Sequence, residues 1–178
     1  MSTVLLVGLG NPGPEYAATR HNLGAMLLDA LTPGPWNKKF EGLTATLTIG
    51  THKLILLKPQ TYMNLSGRSV LAAATFYKLK PENILVAHDE LDLPLGETRQ
   101  KRGGGDAGHN GLKSITQAIG AEYHRLRLGI GRPERREQVE GYVLSPFSPA
   151  ERPAVENLLN TLKTTLPEIL AKRASAKA

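Results

Sequence analysis

Four consecutive apolar residues, Val4-Leu5-Leu6-Val7, run straight into Gly8-Leu9-Gly10-Asn11-Pro12-Gly13-Pro14, and that junction narrows the folds open to this chain. A continuous apolar run this short suits a strand covered on both faces of a sheet. The Gly/Pro turn ends the strand and delivers two polar side chains, Asn11 and His21, before an apolar helical segment begins at Leu23 and runs to Leu31. Ligands of open α/β sheets bind just beyond the carboxyl ends of such strands. The junction therefore reads as the floor of a site.

The same grammar recurs downstream. Leu43 to Ile49 alternates with Thr44, Thr46 and Thr48, as a half-exposed strand does, and the continuous run Leu54-Ile55-Leu56-Leu57 predicts a more buried partner. Pro33-Gly34-Pro35-Trp36 reads as a loop. A serine start and spaced apolar residues predict a helix from Ser66 to Leu79, closed by Pro81. Ile84-Leu85-Val86-Ala87 is another buried strand, with His88, Asp89, Glu90 and Asp92 following it. Leu112 to Ile119 reads as a helix, and Leu126 to Ile130 as a strand interleaved with Arg125 and Arg127. Ser148-Pro149-Ala150-Glu151 is a capping box that opens a terminal helix to about Leu170, followed by Lys172, Arg173 and Lys177. Strands alternating with helices predict an α/β fold over residues 1–178: a single three-layer domain, its sheet mixed but mostly parallel, with helices on both faces.

Several familiar chemistries fail on their details. Gly8-Leu9-Gly10-Asn11-Pro12-Gly13 matches the dinucleotide fingerprint, but Pro12 and Pro14 remove two of the amide donors a pyrophosphate needs. The next acid, Asp29, lies inside a helical run and not at a strand end. Gly111 is separated from Lys113-Ser114 by Leu112, which breaks the phosphate-loop pattern, and Ser66 lacks the G-x-S-x-G elbow. The chain has no cysteine, so thiolate nucleophiles, thiolate metal sites and disulfides are excluded. Its five histidines show no H-E-x-x-H spacing, which leaves His88 with Asp89 and Asp92 as the one metal-like grouping. No apolar run is long enough to span a membrane, and no secretory signal opens the chain, so a cytoplasmic location is expected.

The net charge is +6, and one segment holds it all: nine basic residues lie between Arg99 and Arg136 against Asp106, Glu122 and Glu134. A solvated face would explain some of this. The Gly103-to-Gly111 loop in the same segment favours a polyanionic partner, with Lys101, Lys113 and Arg127 as candidate phosphate contacts and the loop as a mobile lid.

Five motifs stand in a fixed order: Gly8 to Gly13, Thr19-Arg20-His21-Asn22, Tyr62-Met63-Asn64-Leu65-Ser66-Gly67, His88-Asp89-Glu90-Leu91-Asp92 and Gly108-His109-Asn110-Gly111-Leu112. Together they resemble the motif set of bacterial peptidyl-tRNA hydrolase over nearly the whole chain. The resemblance implies hydrolysis of the ester between a peptide and the terminal ribose of tRNA, with no cofactor or metal. It implies His21 as base, Asp89 as its support, and Asn11 separating blocked from free aminoacyl esters. It also implies that Tyr16, Tyr62, Asn64 and Asn110 meet the acyl-adenosine end, with His109 beside them. Its expected partner is the acceptor stem and CCA end of peptidyl-tRNA, met by a monomer without a membrane or an obligate protein partner.

The residues support that chemistry on their own terms. An imidazole titrates near neutrality and can take a proton from water, and a carboxylate on its far nitrogen fixes the tautomer. Asparagine amides donate and accept without adding charge, while Met63 and Tyr62 offer an apolar or stacking wall. Everything requires His21 and Asp89 to meet in one cleft.

Overall fold

The computed structural model describes residues 2–175, with side-chain surroundings through 173, so Lys177 lies outside the described residues. Its centre is a seven-stranded sheet in the order β2-β3-β4-β1-β5-β7-β6. The strands are β1 (Ser2–Gly8), β2 (Asn37–Lys39), β3 (Gly42–Ile49), β4 (His52–Pro59), β5 (Ile84–Glu90), β6 (Thr98–Arg102) and β7 (His124–Gly129). The helices are α1 (Leu23–Leu31), α2 (Ser66–Phe76), α3 (Asn110–Ile119), α4 (Val139–Val143) and α5 (Arg152–Ser175).

The four central strands, β4, β1, β5 and β7, run parallel; β3 pairs antiparallel with β4 and β2 antiparallel with β3 at one edge, and β6 pairs antiparallel with β7 at the other. Both faces are covered, as the continuous apolar runs require. Val4, Leu6, Leu54, Leu56, Leu85 and Ala87 pack with α1 and α5 on one face. Leu5, Val7, Ile55, Leu57, Ile84 and Val86 pack with α2 and α3 on the other. The period of two along each strand divides these residues between the layers.

The expected α/β architecture is therefore present, with local corrections. Strand β5 continues through His88, Asp89 and Glu90, which are its last rungs and not residues following it. The basic Thr98–Arg102 stretch is an edge strand, and β2 and α4 are further elements that no hydrophobic pattern announced. Helix α2 stops at Phe76 before Lys78 adopts a positive φ of 54°. The capping box forms both of its bonds: Ser148 N–H donates to Glu151 Oε1 at 2.8 Å, and Glu151 N–H to Ser148 Oγ at 3.3 Å.

Gly8 and Gly24 explain the false dinucleotide match. A Cβ on Gly8 would stand 2.4 Å from the Gly24 carbonyl oxygen, and one on Gly24 would stand 2.2 Å from that of Ala87. These glycines let α1 touch the backbones of β1 and β5, and the first serves packing with no phosphate involved. Strands β1 and β4 are neighbours yet send α1 and α2 to opposite faces, which opens a crevice past their carboxyl ends.

Candidate active site

That crevice is a cleft of about 1080 Å³ into which three adjacent strands deliver their ends. The loop after β1 brings Asn11 and His21, the turn after β4 brings Tyr62, Met63 and Asn64, and the end of β5 brings His88 and Asp89. The start of α3 contributes His109 and Asn110 from across the sheet.

Asp89 lies at its base, 4% exposed. Its Oδ2 meets His21 Nδ1 at 2.8 Å, and its Oδ1 meets His109 Nε2 at 2.9 Å. One carboxylate thus holds two imidazoles, whose ring centres lie 4.8 Å apart. The tautomer of His109 follows from its neighbours. The main-chain N–H groups of Gly111 and Leu112 both donate to its Nδ1, at 3.1 and 3.3 Å, so the proton resides on Nε2 and is donated to Asp89. Burial alone would raise the Asp89 pKa, but the imidazoles of His109 and His21 outweigh it and hold the carboxyl well below the usual carboxylate range. His88 donates from Nδ1 to the Asp89 carbonyl at 2.8 Å, and burial, aided by His109, lowers its pKa to about 4.

Asn11 is held by its backbone and by one end of its amide. Its N–H donates to Asn22 Oδ1 at 2.9 Å, and Asn22 Nδ2 returns a bond to the Asn11 carbonyl at 3.0 Å. Met63 N–H donates to Asn11 Oδ1 at 2.7 Å. That bond turns the Asn11 oxygen toward the Met63 backbone and leaves its NH₂ group unengaged among the described residues.

Asn64, Asn110 and Tyr62 are exposed on the cleft lining, while Met63 is buried against the start of α3. Tyr16 does not line the cleft; it stands behind Tyr62 at the rim, with ring centres 6.5 Å apart. Lys101 and Arg127 line the cleft, and Arg127 Nε pairs with Glu90 at 2.9 Å. Lys113 projects from α3 outside the lining. Buried Arg125 donates to the Gly104 and Gly105 carbonyls, bracing the glycine loop from beneath. Arg132, Arg135 and Arg136 form the opposite wall together with Glu134 and Glu140, next to Val139, Val143 and Leu144.

Sequence reading passed over Asn22, the bond from His109 to Asp89 and the α4 wall. Asn22 and His109 stood inside the quoted motifs, but nothing in their spacing announced a partner. The supposed metal trio does not assemble, since Asp92 pairs with Arg132 at 2.7 Å and His88 turns to a carbonyl. His21, Asp89 and His109 do bring ligand-type atoms within 4.8 Å of one another. A cation among them would have to break the two bonds that already occupy both carboxylate oxygens.

Known proteins resemble this chain over most of its length. The family model described as peptidyl-tRNA hydrolase matches residues 5–178. The peptidyl-tRNA hydrolase of Rhodospirillum centenum is 51% identical over 171 residues, 94% of this chain and 75% of that protein. That of Methylocella silvestris is 53% identical over 173 residues, 95% of this chain and 88% of the relative. The crystal structure of peptidyl-tRNA hydrolase from Acinetobacter baumannii superposes with a TM-score of 0.86 at 42% identity, covering 97% of this chain and 92% of that one.

Proposed function

The chain belongs to the peptidyl-tRNA hydrolase family, and from that premise we propose that it cleaves the ester between a peptide and the terminal ribose of tRNA, with His21 as general base. The observation that carries this reading is the 2.8 Å bond from His21 Nδ1 to a buried Asp89 at the bottom of the cleft. Asp89 accepts a hydrogen bond from Nδ1–H, so the lone pair sits on Nε2, ready to take a proton from water. The water oxygen attacks the ester carbonyl carbon. Asp89 stabilises the imidazolium that results, and His109 keeps the carboxylate from turning away. The tetrahedral oxyanion is held by amide donors, as pre-organised donors hold such charges elsewhere. The bond from carbon to the ribose oxygen then breaks. The imidazolium returns its proton to that oxygen, giving a free tRNA hydroxyl, and the peptide acid releases its own proton to solvent to become a carboxylate.

Asn11 suits discrimination between blocked and free aminoacyl esters. Its oxygen is turned to the Met63 N–H, so the NH₂ end is the one presented to a ligand. The carbonyl of an N-acyl group accepts from such a donor, whereas the ammonium of a free aminoacyl ester finds no acceptor there. Tyr62, Met63, Asn64 and Asn110 line the path of the acyl-adenosine end, and Tyr16 supports Tyr62. Lys101, Lys113 and Arg127 meet phosphates of the acceptor stem and CCA end. The working unit is a monomeric single domain in the cytoplasm that acts on tRNA released with its peptide still attached. Among the described residues no helix is long and apolar enough to cross a membrane.

The test is a single-turnover assay on an N-acetylated aminoacyl-tRNA. His21→Ala is expected to lower turnover on the order of 10²- to 10⁴-fold with the fold intact. Wild-type turnover by that variant removes His21 from the chemistry.

A further inference from the structure

Three consecutive side chains of the short turn Arg20–Asn22 leave it in three directions. A 3₁₀ turn advances about 120° per residue, so neighbours cannot share a face. His21 goes to β5 through Asp89, and Asn22 to the loop after β1 through Asn11. Arg20 crosses to the opposite wall of the cleft. Its Nη1 donates to the Tyr142 carbonyl at 3.0 Å, with that of Ser145 at 3.5 Å, and its Nη2 meets Glu151 Oε1 at 2.7 Å. The guanidinium lies 4.0 Å over the Tyr142 ring, and the Arg20 main-chain N–H donates to the Ser145 carbonyl at 3.0 Å. Residues 142 and 145 bracket Val143 and Leu144, which line the cleft. Glu151 is outside that lining and belongs to the capping box of α5.

We infer that Arg20 is a positioning residue that fixes the α4 wall relative to His21 and holds the His21 ring against Asp89. Its side chain is only 10% exposed, and its buried Nε makes no hydrogen bond among the described residues. Burying a guanidinium is costly, and an apolar side chain would fill the space more cheaply if packing were its whole purpose. What an apolar residue lacks is a rigid fork that grips a main-chain carbonyl and a carboxylate together. The three side-chain anchors act like a tripod: with the Arg20 side chain slack, only the main-chain bond to Ser145 holds that side, and the turn can shift on the other two. A displacement near 1 Å at a reacting group costs up to about a hundredfold in rate.

The inference rests on His21 being the base, but its test includes a readout independent of that role. Arg20→Lys and Glu151→Gln are compared with the wild-type chain by kcat and KM on N-acetylated aminoacyl-tRNA. Proton NMR then follows the downfield Nδ1–H resonance of His21, which reports the bond to Asp89 whether or not His21 is the base. For both variants kcat is expected to fall roughly ten- to a hundredfold with KM within about twofold, and the resonance to weaken through solvent exchange while the protein remains folded. The double variant should be no slower than the slower single. Folded variants that keep wild-type kcat and resonance, and lose only thermal stability, overturn the inference. If Arg20→Lys fails to fold, Glu151→Gln carries the same readouts, and wild-type values there overturn it equally.

Discussion

At the scale of single residues, the site depends on what each polar atom already holds. Both Asp89 oxygens are engaged: one accepts from His21 and the other from His109. Asp89→Asn replaces one acceptor with an NH₂ donor, so two donating rings cannot both be satisfied, and one must change tautomer or turn. Turnover of this variant is expected to drop on the order of 10²- to 10⁴-fold in the same assay, with circular dichroism unchanged. The sequence offered His21 and Asp89 as a pair because their residue types fit base and support. It did not offer His109 as a second holder of the carboxylate, since a histidine two residues before a glycine reads equally well as a surface or capping residue. His109 in fact caps α3 with Nδ1 and grips Asp89 with Nε2. Both bonds form at once only in the folded chain.

At the scale of elements, backbone proximity decides which strands share a site. Helix α1 lies against β1 and β5 because Gly24 has no side chain to hold them apart. A methyl group there meets the Ala87 carbonyl, two residues before Asp89. Gly24→Ala is expected to cost about 1–3 kcal/mol through overpacking, a fall of roughly 2–10 °C in Tm by calorimetry. The buried strands were legible from their apolar runs, which need cover on both faces. The edge strands were not: β6 alternates charged and polar residues, and β2 is Asn37-Lys38-Lys39, so their hydrogen bonds come from a neighbour and not from any pattern of their own. Helix α4 is five residues long, too short for a helical period to register.

At the scale of the whole molecule, charge and pH act on the fold together. His88 and His124 are both buried with pKa values lowered to about 4, burial being the largest cause in each. A group depressed in the folded state stabilises it fully above its unfolded value and loses that contribution as pH falls through the folded one. Stability is therefore expected to be flat above about pH 6.5 and to decline between about 6.5 and 4, a window read from the unfolding midpoint in urea at several pH values. His124→Phe should flatten that decline. Six of the nine basic residues between Arg99 and Arg136 line the cleft, where six carboxylates, Asp89, Glu90 and Asp92 among them, offset their charge. Lys101→Ala and Lys113→Ala should each reduce the salt dependence of tRNA binding by about 0.7–0.9 in slope, measured by filter binding. An unchanged slope would place the phosphates elsewhere. The sequence by itself determined the layers of this protein, its buried strands and the types of group at their ends, because burial and alternation are properties of neighbouring residues. Tertiary structure alone decided that residues 21, 89 and 109 meet, that Asn11 spends its oxygen on Met63, and that Arg20 reaches across to Glu151. Those contacts join residues far apart along the chain, and their geometry exists only once the sheet is assembled.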